Sequence, residues 1–216
     1  MTELLLKGAL AYLLGSIVGS LVIGRLRGID IRTLGSGNAG ATNALRTQGK
    51  AVGLAVFVID LAKGWVATAY LAHAVLPGIL PAEPALAAWA VPACGIGVML
   101  GHIYPLWFGF RGGKGVATLV GVLFGISATL VLVFLATFLL AVMLMGYVGL
   151  GSMLATVAVA IALALGDLPP RTPLLAFALA AALLIVYTHR GNIQRMRAGT
   201  ESRARRLWLF GRRGAA

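Results

Sequence analysis

An all-α, polytopic integral membrane protein is the fold this sequence predicts. Three observations predict it. The 216 residues are 60% hydrophobic and only 11% charged, and the mean hydropathy is +0.95. A soluble domain must present far more polar surface than that composition supplies. Third, the apolar residues fall in runs long enough to cross a hydrocarbon core about 30 Å thick.

The runs follow one another as Leu4 to Gly24, Ala51 to Leu76, Ala85 to Tyr104, Val116 to Leu165 and the shorter Leu174 to Tyr187. A secretory signal is the alternative reading of the first run. Its positive residues, Arg25 and Arg27, follow the apolar stretch, whereas a signal carries them in front. The fourth run is too long for one span. Breaks near Gly125 to Thr129 and at "GYVGLGS", Gly146 to Ser152, divide it into three pieces, and "GDLPPRTP", Gly166 to Pro173, separates it from the last. Some pieces fall below about 17 residues, which calls for tilt or for burial against other helices.

Charge sets the orientation. Fifteen of the eighteen Lys and Arg lie in Arg25 to Lys50, Arg111 to Lys114 and Arg190 to Arg213, which the positive-inside rule places in the cytoplasm. The N-terminus is then outside, and an even number of crossings separates Lys114 from His189. Four gives seven transmembrane helices, some of them short. Two gives five, with the short pieces re-entrant. The same clustering turns the net charge of +12 towards anionic lipid or an anionic substrate and away from nucleic acid. Cys94, the single cysteine, sits in an apolar run, so neither a disulfide framework nor a zinc cluster is available. The domain reading is a single transmembrane catalytic domain over residues 1–199 and a basic cytoplasmic tail over 200–216.

The polar segments exceed what connecting loops need. In "TLGSGNAGATNALR", Thr33 to Arg46, Gly35, Gly37 and Gly40 allow positive φ and a concavity of backbone amides. Ser36, Asn38, Thr42 and Asn43 add neutral donors, and Arg46 a forked partner for phosphate. "GHIYPLWFGFRGGKG", Gly101 to Gly115, repeats the chemistry, delivering Gly112, Gly113 and Lys114 at the start of the next helix, where the dipole favours an anion. It is not a Walker loop, because Phe108 and Gly115 stand where that motif needs Gly and Ser or Thr. His102 is either a helix-end structural residue or a ligand.

"THRGNIQRMRAGTE", Thr188 to Glu201, places His189 and Asn192 three apart, on one face if the helix continues. Glu201 has Arg195, Arg197 or a substrate hydroxyl as possible partners. Inside the second run, Asp60 and Lys63 share a helix face, and ionisable groups within a bilayer pair or line a polar cavity. Lys63 either reaches substrate or neutralises Asp60.

Taken together, "GSGNAGATNALR", "GHIYPLWFGFRGGKGVAT" and "HRGNIQRMRAGTE" resemble the motifs of the bacterial acyl-phosphate:glycerol-3-phosphate acyltransferases, the PlsY family, in order and over nearly the whole chain. The resemblance implies transfer of a fatty acyl group from acyl phosphate to the 1-hydroxyl of glycerol 3-phosphate. The products are lysophosphatidic acid and phosphate. It also implies seven helices, an external N-terminus, and an active site on the cytoplasmic side of the inner membrane. Ser36, His189 and Asn192 would be catalytic. Gly37, Asn38, Thr42, Asn43, Arg46, Lys63, His102, Gly112, Gly113, Lys114 and Glu201 would bind substrate. No metal, no cofactor, no nucleic acid and no obligate protein partner is implied, and the partners are the two substrates and membrane lipid.

The chemistry fits these residue types. No HxxxxD pair occurs in the chain, so a histidine base oriented by an aspartate is not available in that form. Acyl phosphate is already activated, which puts the weight on alignment and on neutralising the departing phosphate. Ser36 is read as a donor to oxyanion or phosphate rather than a nucleophile, since no base adjoins it in sequence. The hydroxyl proton goes either to His189 or to the leaving phosphate. The alternative from another class is a transporter of an organic phosphate, with Asp60 and Lys63 lining its path.

Overall fold

The computed structural model describes residues 1–205 and 207–214. Every regular element among them is helical, as the composition predicts. The chain forms two compact units, Met1–Ala128 and Thr129–Ala216.

In the first unit the opening apolar run is not one helix. It is α1 (Thr2–Gly15) and α2 (Gly19–Leu26), bent by 43°. The kink falls at a Gly-Ser pair, where the Ser16 hydroxyl bonds back to the Tyr12 carbonyl at 2.9 Å. Two short polar elements follow, a 3-10 turn (Ile31–Thr33) and α3 (Ala41–Gln48). Then come α4 (Lys50–Ala69), the single turn α5 (Pro84–Ala87), α6 (Ala90–Ile103) and α7 (Val116–Ile126). Helix α1 lies along α6, and α4 along α7.

Both pairings are made by glycine. Side chains at Gly15, Gly97 and Gly101 would strike the carbonyls of Val98, Gly8 and Tyr12, and at Gly64 and Gly121 those of Thr118 and Leu61. Close backbone approach of this kind is how helices associate where lipid is as apolar as the side chains.

The second unit contains α8 (Ala128–Met145) from its second residue on, α9 (Val148–Leu165), α10 (Arg171–Thr188) and α11 (Arg190–Arg197). The predicted division of the long run is found, at Ser127 and at Gly146–Tyr147. The second break is narrower than expected: Gly146, at φ +80°, turns the chain and α9 starts two residues later. Helices α8, α9 and α10 have 18 residues each. Of the four pieces that follow Lys114, α7, with 11 residues, falls below about 17; it rises about 16 Å. Among the described residues five helices are long and apolar enough to cross a membrane, and the bent pair makes up to six.

The tail folds back within the second unit. Ala204 N–H donates to Gly146 O at 2.7 Å, Trp208 Nε1 to Leu144 O at 3.2 Å, and Arg203 lies over the rings of Tyr147 and Trp208. Arg206 and residues 215–216 of the predicted basic tail lie outside the described residues.

Candidate active site

The first polar loop is built around Asn43. This buried side chain accepts Ser36 N–H at 3.0 Å and donates to the carbonyls of Leu34 and Ile31 at 2.9 and 3.3 Å. Gly35 and Gly37 have positive φ, as predicted, and Gly35 lies flush on Asn43 Oδ1. Gly40 does not: its φ is −120°, and it is small because Asn38 Nδ2 would meet a Cβ at 2.7 Å.

The expected concavity of amides is also partly closed. Ser36 N–H goes to Asn43, and Gly37 N–H to Leu34 O at 3.0 Å. What the loop turns outward is side chains. Ser36, Thr42 and Arg46 are exposed and Asn38 half-buried.

In the second loop the two glycines serve packing as well. Gly112 N–H bonds to Ile103 O at 3.0 Å and Gly113 N–H to His102 O at 3.1 Å. A Cβ on Gly112 would strike His102 O; one on Gly113 would strike His102 Nε2 and lie 3.0 Å from Ala39 O. Neither amide is therefore turned to a ligand, contrary to the sequence expectation. The same contacts carry Lys114, half-buried, to the entrance of α7, one residue before its N-cap Gly115 at φ +87°, with the first turn following. That turn has amides with no partner inside the helix.

Gly113 on Ala39 O brings the two loops together. Arg32, which sequence reasoning missed, joins them again, donating from Nη1 to the carbonyls of Phe108 and Arg111 at 2.8 and 3.0 Å. Its other nitrogens hold Asp30. No motif pointed to it; its guanidinium acts on backbone carbonyls 76 and 79 positions away.

Lys63 and His102 turn inward. Lys63 Nζ donates to Gly15 O and Ile17 O at 2.8 and 2.9 Å, and lies 3.0 Å from Asp60 Oδ1 and 2.9 Å from His102 Nδ1. Asp60 Oδ1 accepts Gly19 N–H at 3.2 Å. The pair thus caps the helix break: the ammonium meets the carbonyl end of α1 and the carboxylate the amide end of α2, each complementing the local dipole. With its donors so engaged, Lys63 neutralises Asp60 and holds the kink rather than reaching for substrate. His102, also buried, supports Gly113.

In the second unit His189 is the junction of α10 and α11 and is buried, with Nδ1 2.8 Å from Ile185 O. A carbonyl only accepts, so the proton is on Nδ1 and the lone pair of the neutral ring on Nε2. Asn192 lies one turn on, against α9 where Gly149 leaves room. Its Nδ2 donates to Glu201 Oε1 at 2.6 Å, and Arg195 Nε to Oε2 at 2.6 Å. Of the partners considered for Glu201, the chain supplies Arg195, and the carboxylate orients Asn192 instead of facing a ligand.

Comparison with known proteins decides the family. Residues 5–199 match the glycerol-3-phosphate acyltransferase family. The chain belongs to that family. Among its glycerol-3-phosphate acyltransferase relatives, the one from Geobacter sulfurreducens is 41% identical over 204 residues, 94% of this chain and 98% of that protein. The one from Aquifex aeolicus is 39% identical over 194 residues, 89% and 95%. Two solved structures of PlsY, an integral membrane glycerol 3-phosphate acyltransferase, superpose with TM-scores of 0.80 and 0.78 at 36% identity, covering 93% of this chain and 94% of theirs. One is a glycerol 3-phosphate form and the other a lysophosphatidic acid form.

Proposed function

We propose that this glycerol-3-phosphate acyltransferase takes its acyl group from acyl phosphate and passes it to the 1-hydroxyl of sn-glycerol 3-phosphate, at the cytoplasmic face of the bacterial inner membrane. The docking of the two glycine-rich loops in the first unit carries the reading. It sets the exposed Ser36, Thr42 and Arg46 on a loop seated against the one that bears Lys114.

Lys114 and the first turn of α7 take the phosphate of one substrate, with Arg46 as a forked partner. Ser36, Asn38 and Thr42 supply neutral donors. Asn43, His102, Gly37, Gly112, Gly113 and Lys63 keep these groups in place. In the second unit Glu201 fixes Asn192 beside His189. In the reaction the hydroxyl oxygen bonds to the acyl carbon, and the bond from that carbon to the phosphate oxygen breaks. Phosphate departs with the electron pair, and cations and dipoles neutralise its charge. The proton passes either to His189 Nε2 or to the departing phosphate. Near-normal turnover by His189→Gln excludes the histidine route.

Transport loses its support, because the charges it needed along a path, Asp60 and Lys63, are engaged at the helix break. The test is product formation by the purified protein from glycerol 3-phosphate with palmitoyl phosphate, palmitoyl-CoA or palmitoyl carrier-protein thioester. One phosphate per lysophosphatidic acid, from palmitoyl phosphate alone, is expected. Product from a thioester instead overturns the donor assignment.

A further inference from the structure

Phe110 is the only non-glycine residue at positive φ among the described residues, at +57°. An L side chain is disfavoured there, and the conformation persists only where surroundings impose it. Part of the imposition is local: Phe110 N–H bonds to Pro105 O at 3.0 Å, and Gly109 beside it is also left-handed, at +66°. The rest comes from the other polar loop. The Phe108 and Arg111 carbonyls that receive Arg32 Nη1 stand on either side of the Gly109–Phe110 pair. On the opposite edge of the guanidinium, Nε lies 2.9 Å from Asp30 Oδ1 and Nη2 2.8 Å from Oδ2. Arg32 N–H also donates to Asp30 Oδ1, at 2.9 Å, which caps the 3-10 turn leading into Gly35. All three guanidinium nitrogens are thus engaged by the protein.

We propose that Arg32 is a positioning residue for acylation: oriented by Asp30, it holds the left-handed Gly109–Phe110 turn in shape and so sets the register of Gly112 to Lys114 against the Ser36 loop. It touches no substrate. This assignment rests on the reading of those two loops as the glycerol 3-phosphate site. A lysine in its place carries the charge but not the fork, and does not reach two carbonyls and a carboxylate from separate edges at once.

The test uses the full-length protein with Arg32→Ala, Arg32→Lys and Arg32→Ala/Phe110→Gly. Both single variants should raise KM for glycerol 3-phosphate about tenfold or more, the scale of a lost charged hydrogen bond, with KM for acyl phosphate nearly unchanged and a loss of thermal stability no larger than that of Asp30→Asn. Amide exchange should quicken in residues 109–115 and stay the same in 50–69. Phe110→Gly should recover part of the loss, since glycine adopts positive φ without strain. An unchanged KM, no recovery by glycine, or a parallel loss of stability and of both KM values overturns the proposal. A wild-type protein that makes no lysophosphatidic acid overturns the underlying activity reading instead.

Discussion

Lys63 and Asp60 are both almost fully buried, and Asp60 Oδ2 has no hydrogen-bond partner among the described residues. Such a pair costs desolvation, and breaking one half of it strands the other. Lys63→Met should lower stability by about 3–5 kcal/mol, measured by thermal or denaturant unfolding in detergent. Lys63→Met combined with Asp60→Leu should recover much of it. Asp30 behaves differently because it is near the surface. Hydrogen bonds from the Arg32 guanidinium, then from the Arg32 backbone N–H, hold its carboxyl below the ordinary carboxylate range. Its contribution is therefore complete above the unfolded value of about 3.9 and is lost as pH falls through the lower folded value. The stability difference between wild type and Asp30→Asn should be flat from pH 5 to 8 and shrink in stronger acid. At this scale the sequence disclosed residue types but not their directions. Asn43, His102, Lys63 and the amides of Gly112 and Gly113 have the chemistry of ligands, and the fold turns them onto carbonyls and each other. Only three-dimensional contacts distinguish a donor facing substrate from one facing a neighbouring loop.

Helices were legible where hydropathy alone defines them. Helices α8, α9 and α10 emerge from the apolar runs; α8 and α9 end at Gly146 and Gly166 as the glycine signals predict, whereas α10 starts three residues early, at Arg171 inside the Pro-containing break. The break in the first run was not legible. It depends on Lys63 and Asp60, more than 40 residues away, to satisfy the backbone groups it frees. The glycines of α1, α4, α6 and α7 likewise look like weak helix residues until their packing partners are known. Gly101→Leu would drive a side chain into the Tyr12 carbonyl, with Ser16 N only 2.8 Å from the new Cβ. It should separate α1 from α6 and leave little monodisperse protein after size-exclusion chromatography. Gly191→Ala, whose Cβ has only Arg195 Nη1 at 3.5 Å nearby, should be tolerated.

For the molecule as a whole, we read the orientation from charge and parity: N-terminus outside, seven crossings, and α7 as the short one. Ser127, between α7 and α8, distinguishes the possibilities. Ser127→Cys in a Cys94→Ser background should react with an impermeant maleimide from the outer side in spheroplasts, and a cysteine at Gln48 only after permeabilisation. Labelling at 127 only after permeabilisation would make α7 re-entrant. Family membership was legible from three motifs, since their order and length survive without coordinates. The division of work between loops was not. On the proposed function, the first unit's two docked loops hold the phosphate of glycerol 3-phosphate through Lys114. Calorimetric titration of purified protein with glycerol 3-phosphate, inorganic phosphate and glycerol tests it most directly. Binding of the two phosphate compounds but not of glycerol, abolished in folded Lys114→Ala, is the predicted result. Equal binding of glycerol, or unchanged affinity in the variant, would contradict it.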